Sequence, residues 1–489
     1  MHSLLTAAVV LLVAWGALAF GSVYPWAFTP LLAGCALTGV VALVIHRTRH
    51  RTRVLPSATR AAFLALALVL SAGAAQVIPL PPGVIEVLSP KTDAFLRTYD
   101  LGYVFGTPSE PSDEGAEQSS PSWHPLSLAP RQTLIGLALL AAFTLLLVGL
   151  TTALSGSGSR RLTGSIVVFG AVLALIGIVQ KAMLGDHVWA GMKIYGFWQP
   201  VHLLTTPFGP YVNRNHFAGW MLMGLPLAIG LGLGLAEQGL RSRREDLRSV
   251  ILWLSSPQGG RLQLTFLATL LMVASLLMAK SRSGLAGLVV VVVIMSIAAG
   301  RRFNSKKAGI MAFGSLAAAF GIVFAMAGTD LAARIADRSA AVDLRKNIWT
   351  DSATLLRDFP LVGTGINTFG TAMSGGYQTT QKDQHFQEAH NDYLQVAVEG
   401  GILVGLPALV ALLLLIRAIW RRFAAGEDDT MTHWIRIGAT TGLVAIALQS
   451  LVEFSLQMPG NAAMAVVLLA LALHETPLRR RPEAPQNGK

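Results

Sequence analysis

The stretch GPYVNRNHFAGWMLMGLPLAIGLGLGLA (209–236) sets Asn213, Arg214, Asn215 and His216 against the start of a long apolar run. The apolar part is long enough to cross a hydrocarbon core of roughly 30 Å as a helix. Polar and charged side chains at such a boundary are costly unless they face water, protein or a ligand. The stretch therefore decides two things together: the chain spans a membrane, and something occupies the mouth of this span.

The rest of the sequence agrees with a membrane fold. Of 489 residues 53% are hydrophobic and 13% charged, whereas soluble domains carry about 25% charged residues. Apolar runs predict an all-α polytopic protein of about twelve transmembrane helices, over approximately 4–20, 29–45, 59–79, 132–153, 162–182, 215–236, 263–279, 284–300, 308–328, 394–416, 434–456 and 460–475. The first run lacks the basic leader of a secretory signal and is read as a retained span. The single cysteine, Cys35, excludes an intrachain disulfide and a cysteine-based zinc site.

The net charge of +12 does not point to nucleic acid, because the basic residues cluster in alternate short connections. HRTRHRTR (46–53), SGSGSRR (155–161), RSRREDLR (241–248), RRFNSKK (301–307), RAIWRRF (417–423) and LRRRPEAPQNGK (478–489) are all basic. The loop 80–130 instead holds Lys91 and Arg97 against seven carboxylates. By the positive-inside rule the basic set and both termini are cytoplasmic.

Four segments follow: N-terminal spans 1–200 with a mobile outer loop 80–130, a region 201–416 including an outer loop 329–393, C-terminal spans 417–475, and a cytoplasmic tail 476–489. The mobility of the first loop is inferred from GTPSEPSDEGAEQSSPSWHP, whose composition cannot build a core. The second loop, before the tenth span, is expected to be partly helical. In AAVDLRKNIWTDSATLLRDFP, Leu344, Ile348, Leu355 and Phe359 recur at near-helical spacing, and Phe359-Pro360 ends the helix.

The outer ends of the spans collect the polar residues that need a purpose. Pro207 and Pro210 keep the chain out of a helix before Asn213, so that Asn215 is placed to cap the sixth span and Arg214 to face an aqueous vestibule. Lys280, Ser281, Arg282 and Ser283 make a tight turn between the seventh and eighth spans, where two cations without an acid defy the charge rule. His390 opens the tenth span between Glu388 and Asp392, either of which is placed to orient its imidazole. Glu399 lies about 13 Å further down that helix, and Gly401 with Gly405 forms a GxxxG for close helix approach. Gln449, Glu453 and Gln457 form a polar stripe that must turn inward, as packing or as part of a substrate path. Arg345, Lys346 and Arg357 stand in the helical part of the outer loop.

Arg214, Arg282 and His390 thus come from distant positions to one membrane face. Two guanidiniums and an imidazole suit a diphosphate and a proton acceptor. Nothing resembles a P-loop or a Cys/His metal cluster, and neither cofactor nor metal is expected.

At YVNRNHFAG, SRSG, LRKNIWTDSATLLRDFPLVGTGINTFG and EAHNDYLQVAVEGG the chain resembles the O-antigen ligase and polymerase family of bacterial envelope glycosyltransferases. These motifs lie between about 210 and 405. The resemblance implies a multi-pass protein of the bacterial inner membrane, active at the periplasmic face in polysaccharide or lipopolysaccharide biosynthesis. It implies a glycan donor on undecaprenyl diphosphate, an acceptor hydroxyl on lipid A-core or another glycan, and metal-independent, inverting transfer. Arg214 and Arg282 match the arginines held to contact the diphosphate, and His390 the loop histidine thought to activate the acceptor. Asn213, Asn215, Lys280 and Arg345 are candidate substrate-binding residues beside them. Ligase and repeat-unit polymerase share this donor chemistry and differ in acceptor. A lipid-linked glycan transporter is the other class considered, and it would call for polar residues along a mid-membrane path rather than at one face.

Overall fold

A computed structural model of the chain describes residues 2–49, 55–105, 122–184, 193–200, 206–240, 247–303, 314, 339–379 and 386–475. Its helices are α1 (His2–Leu18), α2 (Pro25–Arg49), α3 (Ser57–Ala75), α4 (Pro82–Leu88), α5 (Pro90–Tyr99) and α6 (Leu101–Phe105). Then come α7 (Pro130–Ala153), α8 (Gly156–Leu184), α9 (Arg214–Leu240), α10 (Leu247–Leu254), α11 (Pro257–Met278) and α12 (Arg282–Arg302). The last are α13 (Ser339–Asp358), α14 (Phe369–Ala372), α15 (Asp392–Ala425), α16 (Thr430–Gln449) and α17 (Pro459–Leu473). Among the described residues β-pairing is limited to three isolated bridges. The protein is all-α and polytopic.

Helix is the expected answer to apolar runs of this length, because lipid offers no partner to an unsatisfied backbone group. Helices overlap eleven of the twelve expected spans, and the ninth, 308–328, lies outside the described residues except at 314. Among the described residues eight helices are long and apolar enough to cross a membrane, and α1 and α17 are shorter apolar helices. Proline opens α7, α11 and α17, where its missing N–H costs no hydrogen bond. The exception in composition is α16, which carries the buried Arg436. That guanidinium is satisfied by both oxygens of Asp428 and by the carbonyls of Ala472 and His474.

At the centre stands α9, packed by α16, α11, α12 and α8. Two glycines set its distance from α16. A Cβ on Gly230 would lie 2.5 Å from the Trp434 carbonyl oxygen, and one on Gly438 the same distance from that of Pro226. By contrast α15 is peripheral, with Ile402, Leu406, Leu409, Leu413 and Trp420 exposed on a face suited to lipid.

Outside the bundle the two long loops fold together. As expected, α13 stops before Phe359-Pro360, and Ile348, Leu355 and Phe359 are buried with Phe369, Met373, Phe386 and Val398. The expectation of a mobile 80–130 loop needs correction over 80–105, which forms α4, α5 and α6. Ile85, Leu96 and Tyr103 from these helices pack with Leu126 and Val362. Asp93 accepts from Tyr103 Oη and Arg97 Nε, both at 2.6 Å, and Lys91 pairs with Asp358 at 3.2 Å. The acidic, proline-rich stretch 106–121 lies outside the described residues.

A second correction concerns Gly401. It does not serve a helix–helix GxxxG contact; its φ of 54° and ψ of −156° break α15. The segment 360–365 docks into the break. Ile402 and Leu403 donate to the carbonyls of Pro360 and Leu361, and Thr364 and Gly365 donate to those of Val398 and Glu399. A Cβ on Gly401 would lie 2.5 Å from Gly363 N, whereas Gly405 has no neighbour that close. Buried Gln76, just past α3, completes the joint: its amide donates to Val362 and Glu399 carbonyls and accepts from Ile366 N. The outer loop is thereby fixed to the bundle at the level of α15's first turns.

Candidate active site

The N-terminus of α9 is capped by Asn213, whose Oδ1 accepts from Asn215 N at 2.9 Å. The sequence reading gave that cap to Asn215, two residues too late. Asn215 is instead released to face sideways. Its Nδ2 donates to Glu453 Oε1 at 2.8 Å, and its Oδ1 accepts from Ser281 Oγ at 2.9 Å. Arg214, half-buried, is the first residue of the helix.

Ser281 belongs to the tight turn predicted between α11 and α12. Lys280 closes that turn in the left-handed region, at φ 52°. Ser281 then caps α12 through a hydrogen bond from Gly284 N. Arg282, exposed, is the first residue of α12. So α9 and α12 each open on an arginine, and the Ser281–Asn215 hydrogen bond joins the two openings. A cation there opposes the positive end of a helix dipole. Arginines placed against that preference, beside amide N–H groups, form an environment that an anion would relieve.

His390 is delivered by the segment before α15. Ala389 is tied at both ends, its N–H donating to Gln395 Oε1 and its carbonyl accepting from Trp349 Nε1 of α13. Asn391 caps α15 by accepting from Leu394 N. Between these anchors His390 adopts φ 51°, a conformation that costs an ordinary residue energy and is held only where its surroundings enforce it.

The carboxylate facing His390 is neither of the sequence neighbours. Glu388 accepts from Gln395 Nε2. Burial, with Glu399 nearby, pushes its pKa up to about 8. Asp392 is buried and accepts from Leu456 N, while its own N–H donates to Ser450 O. Glu453 takes the place instead: its Oε2 stands 3.8 Å from His390 Nδ1. Glu453 Oε1 also receives Arg345 Nη2. Phe454 lies edge-on between His216 and His390, with both ring centroids 4.6 Å away.

The polar stripe expected on one helix is also redistributed. α16 ends at Gln449, so Glu453 lies in the turn before α17. Gln449 donates to Asn215 O and Ser283 Oγ, tying α16 to the openings of α9 and α12. One connected cluster therefore holds Asn215, Ser281, Ser283, Arg345, His390, Gln449 and Glu453, with Arg214 and Arg282 adjacent in sequence to its members. Sequence reasoning had marked Glu453 as anomalous but not as the centre. The signal was its place in a polar stripe with Gln449 and Gln457 near the end of a span.

Residues 267–409 match the O-antigen ligase family model. The match runs from α11 into α15 and takes in Lys280, Arg282, Arg345 and His390, while Arg214 and Glu453 fall outside it. It supports the O-antigen ligase/polymerase family for this chain. At the level of activity it supports an O-antigen ligase-like membrane enzyme of glycosyltransferase type. No curated protein matches the sequence.

Proposed function

We propose that the chain transfers a glycan from undecaprenyl diphosphate to an acceptor hydroxyl at the periplasmic face of the bacterial inner membrane. What carries the reading is the pair of arginines that open α9 and α12, whose neighbours Asn215 and Ser281 are hydrogen-bonded. As the bond from the anomeric carbon to the diphosphate oxygen breaks, negative charge grows on the leaving group. Arg214 and Arg282, with the amide groups of two helix openings, lower the barrier by binding that charge more tightly than the ground state. Asn213, Lys280 and Arg345 border the same region as candidate donor contacts.

His390 takes the acceptor proton as the new bond forms on the opposite face, which inverts the anomeric centre. Histidine is the side chain most often used as a general base. The departing diphosphate stays on its lipid. The charge rule supports the periplasmic placement, since the cluster lies at the ends opposite the basic connections.

The test is transfer by purified protein supplied with a glycan on undecaprenyl diphosphate and with either lipid A-core or a second lipid-linked repeat. Wild type should glycosylate one of them, and Arg282→Ala should lower the rate by about 10²-fold or more. Failure of wild type with both acceptors, or an unimpaired Arg282→Ala enzyme, would refute the reading. Which acceptor reacts separates ligase from polymerase.

A further inference from the structure

Glu453 is 1% exposed, and its two oxygens have different surroundings. Oε1 receives Asn215 Nδ2 from α9 and Arg345 Nη2 from α13. Oε2 has no hydrogen-bond partner, and neither has the buried His390 Nδ1 that faces it at 3.8 Å. Two unsatisfied buried groups of complementary type, just beyond hydrogen-bond reach, form a contact that needs only a small movement to close. Catalytic hydrogen bonds are often long in the absence of substrate and tighten once it binds.

Chain geometry limits how either partner can move. His390 is pinned between the doubly tied Ala389 and the Asn391 cap. Glu453 sits in the α16–α17 turn, joined to the start of α15 by the bond from Asp392 N to Ser450 O. Phe454, next in sequence, packs edge-on against the His390 ring. The imidazole is thus walled on one side and faced on Nδ1 by a carboxylate, which leaves Nε2 for chemistry.

We propose that Glu453 is the positioning residue for His390: it fixes the tautomer with the proton on Nδ1, aims Nε2 at the acceptor, and ties Asn215 and Arg345 into the same assembly. The proposal rests on His390 acting as the base. In the step, the acceptor O–H bond breaks and its proton passes to Nε2. The oxygen's electron pair forms the bond to the anomeric carbon, whose former bonding pair leaves with the diphosphate. The imidazolium so formed lies against the Glu453 carboxylate, and the proton then passes to water. The charged and titratable groups around the pair are His216 from α9, Arg345 from α13 and Asp392 from α15. Replacing Glu453 by an amide removes the charge that stabilises the imidazolium while keeping the side chain's size.

The experiment compares wild type, Glu453→Gln and Glu453→Asp in transfer from an undecaprenyl-diphosphate glycan across pH. In Glu453→Gln, kcat should fall by about 10²-fold with the donor KM little changed, and the acid limb of the pH–rate profile should move to lower pH. Glu453→Asp should recover part of kcat and return the limb towards the wild-type position. A kcat within about threefold of wild type, or a lowered kcat with an unshifted limb and no recovery in Glu453→Asp, overturns the proposal. A second readout needs no Glu453 variant. Nitrogen NMR of histidine-labelled wild type, with the His390 signal identified by its loss in His390→Ala, should find the Nδ1–H tautomer, and the Nε2–H tautomer would overturn the assignment. If wild type itself transfers nothing, the functional reading fails, whereas the tautomer still decides the role of Glu453.

Discussion

His390 and Lys280 both occupy the left-handed region without being glycine, at a cost of about 1–2 kcal/mol each. The first turn aims His390 at Glu453 and the second is followed by Ser281, which bonds Asn215, so the strain accompanies placement. The histidine's anchors explain how it persists, since Trp349, Gln395 and Asn391 leave its backbone little choice. Glu388, two residues earlier, has a consequence for pH. Its carboxyl holds a proton up to about 8 when folded, against 4.5 ordinarily. Between those values the native state binds more protons than the unfolded one, so its contribution to stability is present below 4.5 and is lost as pH rises towards 8. The melting temperature of wild type relative to Glu388→Gln should therefore decline across that window; a constant difference would show that Glu388 ionises normally. Arg214, Arg282 and His390 were legible in sequence because each puts charge where an apolar span begins. The centrality of Glu453 was not, because its partners Asn215 and Arg345 are far away in sequence and only the fold brings them to one carboxylate.

Elements were legible wherever a long apolar run had to become a helix, and the end of α13 followed from Phe359-Pro360. Departures from helix were harder to read. Hydropathy registers what a residue prefers, not its φ and ψ, so α15 reads as one continuous span although it breaks at Gly401. That break lets the Gly363–Gly365 turn hydrogen-bond into the helix, and Gln76 locks the joint from α3. Gly401→Ala should cost on the order of 1–3 kcal/mol from backbone strain, with further loss as the 360–365 segment is displaced from Gly363 N. A thermal unfolding midpoint in detergent equal to that of wild type would mean that the joint tolerates a side chain. The short helices α4 to α6 were missed for a different reason. A disorder-prone neighbouring stretch dominated the composition of the loop, although Ile85, Leu96 and Tyr103 already carried an apolar face.

At the scale of the molecule, the positive-inside rule applied to the alternating connections predicts the orientation of the bundle, and with it that of the cluster. The single native cysteine, Cys35, is buried, which makes labelling from either side practical after Cys35→Ala. Asn213→Cys and Gln387→Cys should react with a membrane-impermeant maleimide in intact spheroplasts, and Arg248→Cys only after permeabilisation. The reverse pattern would put the arginines in the cytoplasm. The architecture also suits a lipid-borne substrate. α15 presents an apolar face to the bilayer from Ile402 to Trp420, while its N-terminal end carries the proposed base. A donor held in the membrane by its lipid would bring its diphosphate to that end without leaving the bilayer.

The central claim is that Arg214 and Arg282 hold a lipid diphosphate while His390 does chemistry on what it carries. Equilibrium binding of undecaprenyl diphosphate to the purified protein measures this most directly. Arg214→Ala and Arg282→Ala should each weaken binding by about tenfold or more, as expected for loss of a charge-assisted contact of about 1.5–3 kcal/mol, whereas His390→Ala should bind like wild type and fail only in transfer. Wild-type affinity in both arginine variants would contradict the account.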